Sequence, residues 1–380
     1  TGERGKPGDR EAELRMRFQQ LTGPVTAKAA EDTAFYTYVR MVALNEVGGD
    51  PGRFGLSPDA FHARCSQAGA LWPRSMLALS THDAKRSEDV RARLFLLSEI
   101  PKAWEEAVRG WVKMNERHRT GENLPDRNTE YLLYQTLVGA YPLPLERDWA
   151  YMEKAVREAK EHTSWTRPDP EYEESLKGFL LGLHGDAAFR DSLGTFAEEL
   201  VGPGRINSLA QKLLQLTAPG VPDLYQGTEL WDLSLVDPDN RRPVDFSLRR
   251  AVLEEVVGSA AEEVLRRMDR GDPKMWLIHQ ALALRKERPG AFGPDGAYQA
   301  LDARGPARDH LLAFARGEEV VTAVPRLIMG LVKRRGWGQT TLSLPEGRWR
   351  SALTGETVIG GAVPVSRLLR RFPVALLARI

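Results

Sequence analysis

Three short apolar segments in this chain each run straight into a burst of polar residues, and that recurrence constrains the fold more than any other feature. Gly23-Pro24-Val25-Thr26-Ala27-Lys28, Ser75-Met76-Leu77-Ala78-Leu79-Ser80 and Val221-Pro222-Asp223-Leu224-Tyr225 read as brief buried strands. The clusters that follow are Lys28 to Asp32, Thr81 to Asp89 and Tyr225 to Trp231. Helix capping and surface ion pairs explain one such cluster taken alone. Three in order predict successive strands of a (β/α) barrel, whose sites are assembled from the loops after the strands.

Between the second and third of these strands the pattern is almost wholly helical. Val90, Leu94 and Leu97, then Trp104, Val108, Trp111 and Asn115, recur every three to four residues, so each segment has one apolar face and its tryptophans read as core. Helix over 87–200 far exceeds what a strand crossover needs, which predicts an inserted helical subdomain. Arg10 to Leu21, Glu31 to Leu44, Ile206 to Thr217 and Arg249 to Arg288 carry helical periodicity too, and Ser57-Pro58 is an N-cap followed by proline at the first helical position. After Pro306 the period changes. Leu311–Ala315, Val320–Val324, Thr340–Leu344 and Val374–Ala378 read as short strands of a C-terminal β-sandwich. The expected division is a flexible lead-in and short helix over 1–20, barrel strands and their helices over 21–86 and 201–300, the helical insertion over 87–200, and an all-β domain over 301–380.

Charge narrows the partners. Lys+Arg 53 against Asp+Glu 52, with no block of one sign, gives no electrostatic reason to expect nucleic acid or an anionic membrane. A neutral polar substrate fits better. Cys65 is the single cysteine, so no intrachain disulfide forms and a reducing cytoplasm is the expected compartment. No apolar run approaches the roughly 20 residues that span a bilayer. His62, His118, His162, His279 and His310 are scattered without paired ligand spacing, so neither metal nor cofactor is expected. Cys65 and His184 are assigned to packing or surface.

Thr81-His82-Asp83-Ala84-Lys85-Arg86-Ser87-Glu88-Asp89 is the densest cluster. Carboxylates and cations placed together can hold sugar hydroxyls and stabilise an oxocarbenium ion. A phosphate site would call for a glycine-rich loop, which is not here.

The residues here carry a specific resemblance. LSTHDAKRSEDVRARL (Leu79 to Leu94) is similar to the seventh-strand motif of the maltooligosyltrehalose synthases, members of the α-amylase superfamily. The segment from Leu21 to Gly55 resembles their sixth-strand region, and Gly220 to Phe246 their eighth strand and the loop beyond. The resemblance implies an α/β protein: the C-terminal part of a (β/α)8 barrel, about three strands, with a large helical insertion and a β-sandwich. It departs from the family at positions that include Thr26, Ala30, Thr37 and Val39, where the usual reading over Val25 to Arg40 is VMAKGVEDTAFYRYNR. It also implies that the nucleophilic Asp and the acid/base Glu, which follow strands four and five, lie upstream of this chain.

The implied chemistry is that of a retaining glycosidase scaffold, in which one carboxylate attacks the anomeric carbon and another protonates the leaving oxygen. Asp83 is then the third carboxylate, favouring the positively charged transition state, and His82 donates to the same sugar. The implied reaction is an isomerisation: the reducing-end α-1,4 bond of a maltooligosaccharide is cleaved and re-formed as an α-1,1 bond, with no cofactor. Retaining the freed glucose against water needs a tight polar pocket, for which Lys28, Tyr36, Lys85, Arg86 and Glu88 are candidates, with Tyr225, Asn240 and Arg241 from the eighth-strand loop. Asp237 to Arg242 reads equally as a capped turn. The partners expected are the maltooligosaccharide and either the missing N-terminal half or a second copy. Two alternatives stand: an α-glucan hydrolase of the same superfamily, against which the Lys85 to Asp89 continuation argues, and a non-catalytic glucan-binding fragment.

Overall fold

The computed structural model describes residues 8–120 and 124–380. Most of the proposed lead-in over 1–7 lies outside the described residues. The chain that follows opens as a helix, Asp9–Thr26. Glu11 caps it by accepting from the Gly8 backbone N–H at 3.0 Å, and Asp9 and Glu11 place negative charge at its N-terminus.

That helix overturns the first predicted strand. Gly23 to Lys28 continues helically, passing without a break into a π-helical stretch, Ala27–Ala34, and a short turn of α-helix, Phe35–Thr37. A helix satisfies its backbone donors within one segment, whereas a strand needs a paired neighbour along its edge. Glu13 and Arg17, four apart and ion-paired, add local support. Val25, expected on a buried inner face, is exposed. The predicted helix over Glu31 to Leu44 is interrupted after Thr37 and resumes only as a 3₁₀ turn, Val42–Leu44.

The other two predicted strands form and pair. β1 (Met76–Ala78) and β2 (Val221–Asp223) are parallel, in the register Met76↔Val221, Leu77↔Pro222, Ala78↔Asp223. Gly220 makes the approach possible: its φ is +139° and a Cβ there would lie 2.7 Å from Leu77 Cγ. Gln215 ties the pair from behind, its side-chain amide donating to the carbonyls of Leu77 and Asp223, both at 2.7 Å.

Between β1 and β2 the chain is helical, as the periodicity predicts, ending in the 31-residue helix Ala187–Thr217. The tryptophan stripe is core. Trp104 and Trp111 pack edge to face with centroids 5.8 Å apart, and Trp111 continues against Tyr134, Phe189 and Phe196. Their indole N–H groups are satisfied by Tyr131 and Ser192. Ser57 caps the helix Pro58–Leu71 through the Ala60 N–H, as the sequence predicts.

The C-terminal region is all-β plus short helices, but it is one sheet rather than a sandwich. β3 (Tyr298–Ala300), β4 (Ala303–Arg304), β5 (Leu311–Arg316), β6 (Val320–Pro325), β7 (Thr341–Ser351), β8 (Thr357–Pro364) and β9 (Ala375–Arg379) pair antiparallel in the order β3-β5-β6-β9-β7-β4, with β8 also on β7. The register shift between Leu344 and Arg348 lets β7 serve different neighbours with its two halves, which curls the sheet. Alternation then fills two cores. Leu312, Val320, Val324 and Leu376 share a core with the helices Ala187–Thr217 and Asp272–Glu287, while Leu311, Ala313, Val321, Trp349 and Leu377 fill the inside of the curl. A curled sheet that covers its own second face needs no second sheet. Among the described residues no helix is long and apolar enough to cross a membrane.

Candidate functional site

β1 runs out into the turn Thr81 to Ala84, so the sequence delivers His82 and Asp83 at a strand's C-terminal end. The turn is built to hold that carboxylate in the open. Thr81 Oγ1 accepts from the Asp83 N–H at 3.2 Å, and the Asp83 side chain remains 46% exposed. Its nearest cation is the Lys85 ammonium, 3.7 Å away. His82 is exposed as well, while its backbone carbonyl faces inward.

That carbonyl is the anchor. Asn240 is buried, and its side-chain amide lies 3.3, 3.2 and 3.3 Å from the carbonyl oxygens of Thr81, His82 and Ala84. Arg241 adds its guanidinium at 3.3 Å from the His82 oxygen, and Tyr225 donates from its hydroxyl to the Asn240 carbonyl at 3.0 Å. Three residues expected to touch substrate therefore converge on the turn that carries His82 and Asp83. Asn240 and Arg241 grip its backbone, and Tyr225 holds Asn240 in place.

Lys85 is buried and faces the π-helical stretch. Its ammonium is 3.0 Å from Asp32 Oδ1, and Asp32 also takes a hydrogen bond from Lys28. Burial pushes the Asp32 carboxyl up, but the bonds from Lys28 and Lys85 outweigh it and hold the group below its ordinary value. Burial likewise presses Lys85 down, and Asp32 more than restores it, so Lys85 stays charged. The wide π turn brings Lys28 and Asp32 onto one face, and Thr33 compensates by donating its hydroxyl to the Lys28 carbonyl at 2.8 Å. Tyr36 is buried in the adjoining core, and its hydroxyl meets no hydrogen-bond partner among the described residues. Burial, then the neighbouring Tyr151, raises its pKa well above the ordinary tyrosine value.

Arg86 and Glu88, expected among the sugar contacts, are turned the other way. Arg86 lies in the core, donating to the Val42 carbonyl at 3.2 Å and to the Tyr151 hydroxyl, with its guanidinium over the Tyr151 ring. Glu88 is 1% exposed and meets two ammonium groups, Lys212 at 2.9 Å and Lys274 at 2.8 Å; Lys274 also reaches Asp89 at 2.8 Å. Burial raises the Glu88 carboxyl, but Lys274 and Lys212 together bring it below its ordinary value. Ser87 caps the helix Glu88–Leu94, whose first turn carries Glu88 and Asp89 into the core, while Arg86, just before the cap, is held there by its backbone bridge to Leu235 and the Glu46 carboxylate. Polar richness in this motif thus serves two layers. His82 and Asp83 sit at the surface, whereas Lys85, Arg86, Glu88 and Asp89 are buried beneath it, Lys85 towards Asp32 and the others deeper in the core.

Residue-level reading missed three supports. Asp32 joins two lysines from different segments; it stood inside a polar cluster but carried no separate signal. Glu46 accepts from the backbone N–H groups of Lys85 and Arg86 at 2.8 and 3.2 Å, and nothing in its own neighbourhood points there. Ser80 Oγ accepts from the Glu88 N–H at 2.9 Å. Outside the cluster, Glu229 pairs with Arg249 at 3.0 Å and supports the loop after β2. Val39 is buried in the core, and Thr37 is half-buried at its edge. His184 pairs with the wholly buried Asp148 at 2.9 Å, and Cys65 is buried.

No protein-family model matches the chain. A curated Mycobacterium tuberculosis (strain H37Rv) protein, provisionally named a maltooligosyl trehalose synthase, is 43% identical over 377 residues, which is 97% of this chain and 46% of that protein. The solved maltooligosyltrehalose synthase from Arthrobacter ramosus superposes with a TM-score of 0.88 at 41% identity, covering 96% of this chain and 46% of that one. A Sulfolobus tokodaii protein described as a hypothetical maltooligosyl trehalose synthase gives 0.80 at 32% identity, covering 97% and 48%. The chain spans about half the length of these relatives. By sequence and by fold the chain is similar to the maltooligosyltrehalose synthases, over about half the length of such a protein.

Proposed function

We propose that this chain is the C-terminal half of a maltooligosaccharide isomerase that converts the reducing-end α-1,4 bond into an α-1,1 bond. In this reading Asp83 is the carboxylate that favours the oxocarbenium-like transition state, and His82 donates to the same sugar. Lys28 and Lys85 are the cations that line the pocket retaining the freed glucose. The nucleophile and the acid/base carboxylate come from the other half. β1 and β2 are then neighbouring barrel strands and the intervening helices an insertion between them.

The observation that carries the reading is Asp83 itself. A carboxylate at the end of a parallel strand is held half-open on a turn whose backbone is gripped from below, with the Lys85 ammonium beside it fixed by Asp32. Such a group costs little in the ground state and acts when positive charge develops. Asn240 and Arg241 are positioning residues in this reading, since their side chains bond the turn.

The test is Asp83→Asn in the full-length protein. A melting temperature near wild type, with loss of non-reducing product from maltopentaose by orders of magnitude, is the expected result. Activity within about tenfold of wild type would remove Asp83 from the transition state, because that ratio is only ~1.4 kcal/mol of barrier.

A further inference from the structure

Trp165 is an exposed indole that the fold goes to some length to hold still. It lies on the tight turn Ser164 to Arg167, where Ser164 and Arg167 exchange backbone hydrogen bonds at 3.1 and 3.2 Å and Ser164 Oγ accepts from the Arg167 N–H at 3.0 Å. The indole N–H donates to Glu158 at 3.0 Å. One ring face is covered by the Arg157 guanidinium, 4.8 Å from the centroid. Arg157 is in turn fixed by Glu173 through two bonds of 2.8 and 2.7 Å, and Glu173 takes a third from Thr163. Edge and one face are thus immobilised, yet the residue remains 53% exposed. Trp72, the other strongly exposed tryptophan, has no such frame: no hydrogen bond to its indole and no cation over its ring are present among the described residues.

The same segment reaches the site around Asp83. Lys160, which closes the helix Leu145–Ala159 in a left-handed conformation, donates to Thr33 Oγ1 at 2.6 Å. Thr33 neighbours Asp32, the partner of Lys28 and Lys85. The Lys28 ammonium feels both Glu158, which holds the indole, and Asp83.

We propose that Trp165 is a stacking platform for a glucose ring of the bound α-glucan, at the edge of the site built around Asp83. A flat apolar surface with one free face suits the C–H face of a pyranose, and Glu158 and Lys160 beside it supply hydrogen bonds for hydroxyls. Preorganisation matters here, because a rigid aromatic gives up little conformational entropy when it binds. The proposal rests on the glucan reading above.

Binding, rather than turnover, separates the two. In full-length protein carrying Asp83→Asn, maltoheptaose affinity is measured by calorimetry, alone and with Trp165→Ala or Trp165→Tyr added. The expected result is roughly tenfold weaker binding for the alanine variant, the scale of a lost aromatic anchor, with most of it recovered by tyrosine. Melting temperatures should agree across the three. Equal affinity in the alanine variant overturns the platform while leaving the glucan reading intact. A lowered melting temperature with unchanged affinity also overturns it, showing that Trp165 packs against the rest of the protein. Failure of the Asp83→Asn parent to bind maltoheptaose removes the glucan reading, and the platform with it.

Discussion

The side-chain amide of Asn240 lies 3.2 Å from the carbonyl oxygen of His82, and this contact links the loop after β2 to the turn after β1 across 158 residues of sequence. One amide group facing three carbonyls is a backbone clamp. Replacing Asn240 by Ala removes the clamp, and replacing it by Asp sets a carboxylate against carbonyl oxygens. In full-length protein we expect the turnover number to fall about tenfold or more for Ala, or ~1.4 kcal/mol, and further for Asp, with a smaller change in KM. Steady-state kinetics on maltopentaose checks this. A rise in KM at unchanged turnover would mean that Asn240 meets the sugar directly.

The layer beneath the turn makes a different prediction. Glu88, Lys212, Lys274 and Asp89 form a buried quartet, and removing one partner leaves charge without compensation. Glu88→Gln is expected to cost about 3–5 kcal/mol of stability, read as a large drop in melting temperature. The compensated variant Glu88→Leu with Lys212→Met should recover part of the loss, since an apolar pair of similar volume needs no desolvation. A single Glu88→Gln variant as stable as wild type would show that this quartet is not what holds the two layers together.

How much of this was legible in the sequence depends on the range of the interaction. The strands Met76–Ala78 and Val221–Asp223, the cap at Ser57 and the tryptophan core follow from local pattern, because periodicity and capping act within one segment. Gly23 to Lys28 misled, since a short apolar run fits strand and helix alike and only a paired neighbour decides. The site shows the same division. Asp83 and Lys85 stand out by residue type, whereas the roles of Glu46, Asn240 and Asp32 come from contacts with distant segments, which no local spacing encodes. Arg86 and Glu88 look like ligand residues in one dimension and are core in three.

Asp148 gives a pH signature. It is wholly buried with His184 as its hydrogen-bond partner, and burial raises its pKa above the ordinary value of 3.8 despite that bond. The folded state therefore keeps a proton that the unfolded chain gives up, so stability from this site is greatest at low pH and is lost as pH rises through the raised value. Asp148→Asn keeps a polar group beside His184 without the charge. We expect the variant to melt above wild type at pH 7, with the gap closing towards pH 4. A gap independent of pH would mean that Asp148 is buried without penalty.

The two-stranded sheet sets the last expectation. Among the described residues β1 pairs only with β2, and the residues around the pair are open: Trp72 is 71% exposed, Met76 69% and Val221 45%. The N-terminal helix adds Leu14, Phe18, Leu21 and Val25 to the exposed apolar surface. Burying one such side chain is worth about 1.5–3 kcal/mol, so a handful of them rivals the whole ~5–15 kcal/mol stability of a typical domain. An open strand edge beside them offers a template for pairing. We therefore expect the 380-residue chain by itself either to associate with the remainder of a full-length synthase supplied in trans or to pair with another copy. It should show no loss of reducing ends from maltopentaose until the remainder is added. Size-exclusion chromatography with light scattering reads the first expectation, and a reducing-end assay the second. A stable monomer that unfolds cooperatively without a partner would mean that the exposed face needs no cover, and turnover by that monomer would place the whole catalytic set within this chain.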